Sequence, residues 1–368
     1  MTAPLLSPSR RLRRTPFSEG VERAGVKAYT VYNHMLLPTL FRSVEEDYRH
    51  LKTHVQLWDV SCERQVELRG PDAGRLMQML TPRDLSAMVR GQCLYVPIDE
   101  TGGMLNDPVA VKLAEDRYWI SIADSDLLYW AKGIASGYRL DVLVDEPDIS
   151  PLGVQGPKAD ALMARVFGEE VTKVRFFRFD WFDFQGRSLA VARSGYSRQG
   201  GFEIYVDGYE TGMPLWDALM AAGADLDVHA GCPNLIERIE GGLLSYGNDM
   251  TRANTPHECG LGKFCNTDAA VGCIGRDALL RVAREGPIRQ IRPLEIAGGP
   301  VPHCDAPWEV SAGGERVGQV TSAIWSPDFE TNVAIGMIRK THWAPGTELS
   351  VAAPDGTRPV TVREKFFI

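Results

Sequence analysis

GGFEIYVDGYETGMPLWDALMAAG, residues 200 to 223, carries two periodicities in one run. From Phe202 to Val206 the apolar residues alternate with Glu203 and Tyr205, the period of two that marks a strand. Phe202, Ile204 and Val206 therefore face one side, Glu203 and Tyr205 the other. After Asp207 and Gly208 the apolar spacing changes to that of a helix. The unit is strand, turn, helix, and its carboxylate lies off the core face. Glu203 then has two readings, a solvent-facing strand edge or a pocket wall in which an acceptor-only carboxylate stands beside a phenol.

The same rhythm recurs along the chain. QVELRG turns into PDAGRLMQML at residues 65 to 80, whose proline and aspartate suit a helix start. YWISIADSDLLYWAKGIA (118 to 135) and ISPLGVQGPKADALMARVF (149 to 167) repeat it. VEEDYRHLKTHV (44 to 55) spaces Val44, Tyr48, Leu51 and Val55 as one amphipathic helix. DPVAVKLAEDRYWISI reads as two strands joined by an acidic turn, which favours mixed or antiparallel sheets over one doubly wound sheet. The fold class is α+β.

From about residue 288 the helical period disappears. RPLEIAG, RVGQVTS, NVAIGMI, TELSV and PVTVREKF are short strands punctuated by Gly, Pro and Asn, the pattern of a small β-barrel or sandwich. The expected organisation is an N-terminal arm (1–27), an α+β region of two lobes (28–287) and a β-barrel (288–368). The arm carries Arg10, Arg11, Arg13 and Arg14 and is read as a mobile or subunit-embracing segment, which makes a homodimer reasonable.

With 368 residues, 44% hydrophobic and 24% charged, the chain can build a sizeable core. Its formal net charge of -8 opposes nucleic acid and anionic lipid as partners. No stretch approaches the twenty apolar residues of a membrane span. The seven cysteines form no CxxC pair and fit buried thiols in a reducing cytosol. The seven histidines show no HExxH or HxH spacing, so no metal is expected. GLGKFC (260 to 265) satisfies neither a dinucleotide fingerprint nor a phosphate-gripping loop, and there is no GxSxG elbow.

Four residues remain for chemistry. Asp107, in GGMLNDPVAV, is either a turn aspartate bonding local backbone or a carboxylate presented at a strand end to orient an amine. Gln155 ends an apolar strand before a Gly-Pro turn, where an amide can read a heterocycle edge or cap the turn. Glu237 and Arg238 lie on the helical stretch NLIERIE, where a solvated charged face is the default.

WDVSCERQVELRGPDA, GQCLYV with GGMLNDP, VQGPKA, ARSGYSRQGGFEI, RIEGGLLSYGND, and HECGLGKF with IGRDAL occur in this order. Together they resemble the aminomethyltransferase family typified by the glycine cleavage T-protein, over about residues 28 to 368. RRTPF, YTVYNHMLLP, SVEEDY, WISIADSD and GCPNLIERIE resemble a branch of that family that demethylates a sulfonium. The resemblance implies a three-lobed body holding tetrahydrofolate. It also implies methyl transfer from the sulfonium of dimethylsulfoniopropionate to N5 of the folate.

By the same resemblance Glu203 is the pterin-reading carboxylate and Asp107 the acid near the folate amine, the one catalytic residue expected. Tyr95 and Tyr196 match aromatic residues of the cofactor channel, and Gln155 matches the Gln-Gly-Pro segment. Tyr205 joins them by sharing the face of Glu203, and Phe177 by its place in RFFRFDWFDF. Tyr32 and Tyr196 are expected to offer aromatic faces to the sulfonium. Two positions differ from the family pattern: Asn234 and Leu235 replace an Arg-Asp pair, and Tyr196 stands where tryptophan is expected. An N-methyl or O-methyl donor, and a folate-binding protein without catalysis, are the other readings.

Overall fold

The computed structural model describes residues 9–266 and 272–368. The first eight residues of the expected arm lie outside them. The chain forms two compact units. Unit 1 comprises residues 1–64, 147–195 and 199–233, and unit 2 comprises 65–146, 196–198 and 234–368.

Unit 1 is built on a six-stranded sheet in the order Phe179–Phe184, Arg187–Ala192, Gly201–Asp207, Ile149–Gln155, Val55–Asp59, Val228–Gly231. Its last pair is parallel and the others are antiparallel, so the sheet is mixed as expected. One face carries Leu57, Leu152, Val154, Val191, Phe202, Ile204 and Val206. It packs on Leu162 and Met163 of the helix Ala159–Phe167 and on Leu215, Trp216 and Leu219 of Tyr209–Ala222. The alternation read in FEIYV thus sets the core face. The strand is not a sheet edge: it has a neighbour on each side and is buried from Gly201 to Val206.

The N-terminal segment corrects the expected arm. Residues Ser18–Arg23 form a helix, and Phe17 and Val21 are in the unit 1 core. Thr15 Oγ1 donates to the buried Asp59 Oδ2 at 2.6 Å, and the Arg13 N–H donates to the His34 carbonyl at 2.7 Å. Two apolar residues four apart are enough to dock a single turn. The hairpin Ala28–Tyr32 and Met35–Leu40 turns at Asn33 and His34, with φ of 47° and 64°. Two consecutive left-handed residues make the turn type whose twist suits a two-residue hairpin. Tyr32 stands at that turn, half-buried.

Unit 2 holds an antiparallel five-stranded sheet in the order Gly91–Leu94, Val109–Ala114, Arg117–Ser121, Gln65–Arg69, Leu143–Asp145. Val66, Leu68 and Ile120 pack on Leu76, Met77 and Leu80 of the helix Ala73–Leu80 and on Leu127 and Ala131 of Leu127–Gly137. The C-terminal strands close a six-stranded barrel, in the order Arg289–Ile296, Thr331–Arg339, Glu315–Ser326, Trp308–Ala312, Glu348–Ala353, Gly356–Val362. The sequence reading found five of these. It passed over Trp308–Ala312, which follows the turn-rich stretch 298–307 and has only Trp308 and Val310 buried, with Ala312 partly buried against the same core.

Four cysteines are buried, three are half-buried, and none is disulfide-bonded. Among the described residues no helix is long and apolar enough to cross a membrane.

Candidate active site

Directly paired residues of neighbouring strands share a sheet face, so the second face of the unit 1 sheet can be read row by row. One row runs Phe179, Ala192, Glu203, Gly153, Trp58. The next runs Trp181, Ala190, Tyr205, Pro151. Each polar side chain is therefore flanked by small or compact residues, with Trp58 and the edge-to-face pair Phe179 and Trp181 as aromatic ends. Glu203 and Tyr205 are both buried.

The Glu203 carboxylate accepts a hydrogen bond from Ser194 Oγ, and among the described residues no Lys, Arg or His pairs with it. Burial raises its pKa, and Ser194 offsets part of that rise. A buried carboxylate without a cation costs several kcal/mol unless donors reach it. Ser194 leaves most of its acceptor capacity open to a ligand that brings two adjacent N–H groups.

Gln155, at the end of the neighbouring strand Ile149–Gln155, has a structural task. Its Nε2 donates to the carbonyls of Ser194 and Phe202, both at 3.1 Å, which clamps the segment leading into Glu203. Gly195 and Gly201 run so close to this amide that a Cβ on either would lie 2.1 Å and 2.8 Å from its Nε2. Both have φ in the positive range that favours glycine, 156° and 144°. Gln155 positions the Ser194–Glu203 pair through backbone.

Phe177 is half-buried in a left-handed conformation, φ 56°, which a bulky side chain rarely adopts. Its N–H donates to the Arg193 carbonyl at 3.0 Å, and its ring packs edge-on against the exposed Phe176 at 4.7 Å. Unit 1 thus contains Glu203, Tyr205, Gln155, Phe177 and Tyr32.

The other three candidates fall in unit 2. Asp107 sits between Asn106 and the strand Val109–Ala114. Asn106 Oδ1 accepts the Asp107 N–H at 2.8 Å. The surrounding protein holds the Asp107 carboxyl up to about 8. Desolvation is the main cause, with Asp249 adding to it and the residue's own backbone N–H opposing it.

Tyr95 is fully buried among Leu76, Met77 and Ile120, and its hydroxyl donates to the Met77 carbonyl at 2.6 Å. As placed, it packs the sheet against its helix and has no hydroxyl to offer a ligand. Tyr196 is half-buried, with its hydroxyl 2.9 and 2.8 Å from the carbonyls of Leu243 and Leu244. The phenol at this position is therefore satisfied by backbone.

Glu237 and Arg238 overturn the expectation of a solvated face, since both are buried in the helix Leu235–Glu240. Glu237 accepts the Arg198 N–H at 2.5 Å. Arg238 pairs with Asp249 at 2.8 Å and reaches Ser322 at 2.6 Å on the barrel strand Glu315–Ser326. Asp249 also accepts from Thr321, Ser322 and the Ser245 N–H. Asn234, at the position that differs from the family pattern, caps this helix by accepting from the Ile236 and Glu237 N–H groups. Sequence spacing could not find this network, because its members come from a helix, a turn and a barrel strand.

A mixed α/β body with a six-stranded C-terminal barrel, and a buried cation-free carboxylate on its central strand, define a fold of the glycine-cleavage T-protein type. Comparison with known proteins makes that specific. Residues 17–269 match the GCVT N-terminal domain, and residues 289–368 match the glycine cleavage T-protein C-terminal barrel domain. The chain belongs to this aminomethyltransferase family. It is 65% identical over 361 residues to a dimethylsulfoniopropionate demethylase of Ruegeria pomeroyi, covering 98% of both chains. It is 30% identical to an aminomethyltransferase of Symbiobacterium thermophilum, over 92% of this chain and 93% of that one. The crystal structure of the glycine cleavage system aminomethyltransferase T from Bartonella henselae superposes with a TM-score of 0.84 at 24% identity, covering 97% of this chain and 98% of that one.

Proposed function

We propose that this chain is a tetrahydrofolate-dependent demethylase that moves a methyl group from the sulfonium of dimethylsulfoniopropionate to N5 of tetrahydrofolate. The products are 3-methylmercaptopropionate, 5-methyltetrahydrofolate and one proton. The observation that carries the reading is the 65% identity to the demethylase over nearly the whole of both chains.

The residues present suit a reduced pterin. Glu203 offers a buried carboxylate to the adjacent amino and ring N–H groups, a charge-assisted pair that is strong in a desolvated setting. Tyr205 adds a phenol on the same face, and Ala192 and Gly153 leave room beside the carboxylate. Bound folate supplies the nucleophilic nitrogen. The chain's part is to orient and to exclude water that would solvate the localised positive charge of the substrate better than the dispersed charge of the transition state. The leaving group is a neutral thioether and needs no acid. Asp107, in the role the family gives this position, accepts in its ionised form the proton released at nitrogen.

One observation favours a second reading. With its carboxyl held up to about 8, Asp107 is mostly protonated at neutral pH. A neutral acid is what an N-methyl or O-methyl donor would need for leaving-group protonation. The two readings give opposite pH profiles: kcat/KM rises towards a plateau above pH 8 for the sulfonium donor and falls through pH 8 for the others. Incubation with tetrahydrofolate and a panel of S-, N- and O-methyl donors, with product analysis, tests the substrate. Formation of 3-methylmercaptopropionate supports the proposal; turnover of another donor without it rejects the proposal.

A further inference from the structure

Unit 1 carries a second cluster of titratable side chains that methyl transfer does not use. His50 lies in the helix Val44–Thr53 and His54 is its C-cap. Asp227 and His229 come from the entry to the edge strand Val228–Gly231. The imidazoles are stacked, with the His50 ring 4.9 Å from that of His54 and 4.2 Å from that of His229. Asp227 Oδ2 lies 3.6 Å from Nε2 of both His50 and His54, and Oδ1 lies 3.1 Å from His229 Nε2. One ligand atom each from His50, His54 and Asp227 fall within 4.8 Å of one another.

The surrounding hydrogen bonds accommodate a ligating tautomer of His54. When Thr53 Oγ1 donates to the Arg49 carbonyl at 2.8 Å, it accepts from His54 Nδ1, 2.7 Å away. The hydrogen is then on Nδ1, and Nε2 presents a lone pair to Asp227 Oδ2. Two acceptors face each other with no donor between them. Their 3.6 Å separation is close to the edge of about 3.3 Å that a tetrahedral zinc ion imposes on ligands at roughly 2.0 Å. The His229 Nε2–H holds the other carboxylate oxygen, as an outer hydrogen bond holds a metal-ligating carboxylate.

His50 needs one adjustment. The Gln56 amide, oriented by the Trp58 Nε1–H on its Oε1 at 2.9 Å, donates to His50 Nδ1 at 3.3 Å, and His50 Nε2 donates to the Asp227 carbonyl at 2.8 Å. Ligation through Nε2 moves that hydrogen to Nδ1 and gives up two contacts, the 2.8 Å bond to the Asp227 carbonyl and the 3.3 Å contact with Gln56, in exchange for the bond to the metal. Asp227 is exposed, which leaves an entry path.

We propose that His50, His54 and Asp227 form a site for a divalent transition ion of the zinc class, with His229 orienting the carboxylate. The site is independent of the folate reading, since none of its residues serves the methyl transfer. His50 and His54 are four residues apart, on one helix and its C-cap, but Asp227 stands 177 residues from His50, so no local motif completes the ligand set.

Metal-stripped full-length chain is titrated with ZnCl2 by calorimetry and with CoCl2 by absorption. The expected result is one ion per chain, affinity reduced at least tenfold by His54→Gln and by Asp227→Asn, and a cobalt spectrum without a thiolate charge-transfer band. Asp227 has a left-handed backbone, φ 59°, that asparagine adopts readily, so that variant tests ligation without disturbing the turn. Absence of saturable binding, unchanged affinity in both variants, or a thiolate band pointing to the cysteines would each overturn the site.

Discussion

Glu203 concentrates the folate reading in one side chain. Its carboxylate is buried on a central strand with a serine hydroxyl and, among the described residues, no cation paired to it. Replacing Glu203 with alanine removes a charge-linked bond worth about 1.5 to 3 kcal/mol, so the Kd for tetrahydrofolate should rise roughly 10- to 100-fold by calorimetry. Near-normal affinity would end the assignment. Asp107 makes a prediction in the opposite sense for stability. Its folded pKa, about 8, lies above the unfolded value near 3.8, so folding favours the protonated form. Its contribution is therefore lost as pH rises through that window, and Asp107→Asn should raise Tm by about 2 to 4 °C at pH 9, with little change at pH 4, while demethylation falls. Equal Tm values for variant and parent at pH 9 would contradict the shift. The orientation of Glu203 and Tyr205 was legible because a strand has period two. The commitments of Tyr95 and Tyr196 to backbone carbonyls were not, because hydroxyl partners come from other elements.

At the scale of elements, two clamps hold the candidate residues. Gln155 ties Ser194 and Phe202 to the strand Ile149–Gln155, and its replacement by leucine orphans two carbonyls. A loss of about 1 to 3 kcal/mol follows, measurable by urea denaturation. Gly195→Ala should be at least as damaging, because a Cβ there meets the same amide head-on. In unit 2, Arg238 is the partner of the buried Asp249. Arg238→Met leaves that carboxylate unpaired and should cost about 3 to 5 kcal/mol in the same assay, far beyond the effect of an exposed arginine. The helix bearing Arg238 was read as half solvated because its apolar spacing marks only one face. Its charged face is buried by residues that the sequence places 11 and 84 positions away.

For the whole molecule, the strand-helix rhythm gave the α+β class, the mixed sheets and the C-terminal barrel, since each rests on local periodicity. The division into two units was not legible, because the chain enters and leaves each unit more than once and only long-range contacts reveal the partition. The docking of Phe17 and Val21 was hidden beside an arginine cluster that suggested an arm. The central claim, that this fold moves a sulfonium methyl to folate, is tested most directly by a single-turnover reaction with dimethylsulfoniopropionate carrying carbon-13 in its S-methyl groups. NMR should show the label at N5 of tetrahydrofolate, one equivalent for each 3-methylmercaptopropionate formed, and a greatly reduced yield with Glu203→Ala. Label that stays on sulfur, while the unlabelled methyl of another donor reaches the folate, would contradict the account.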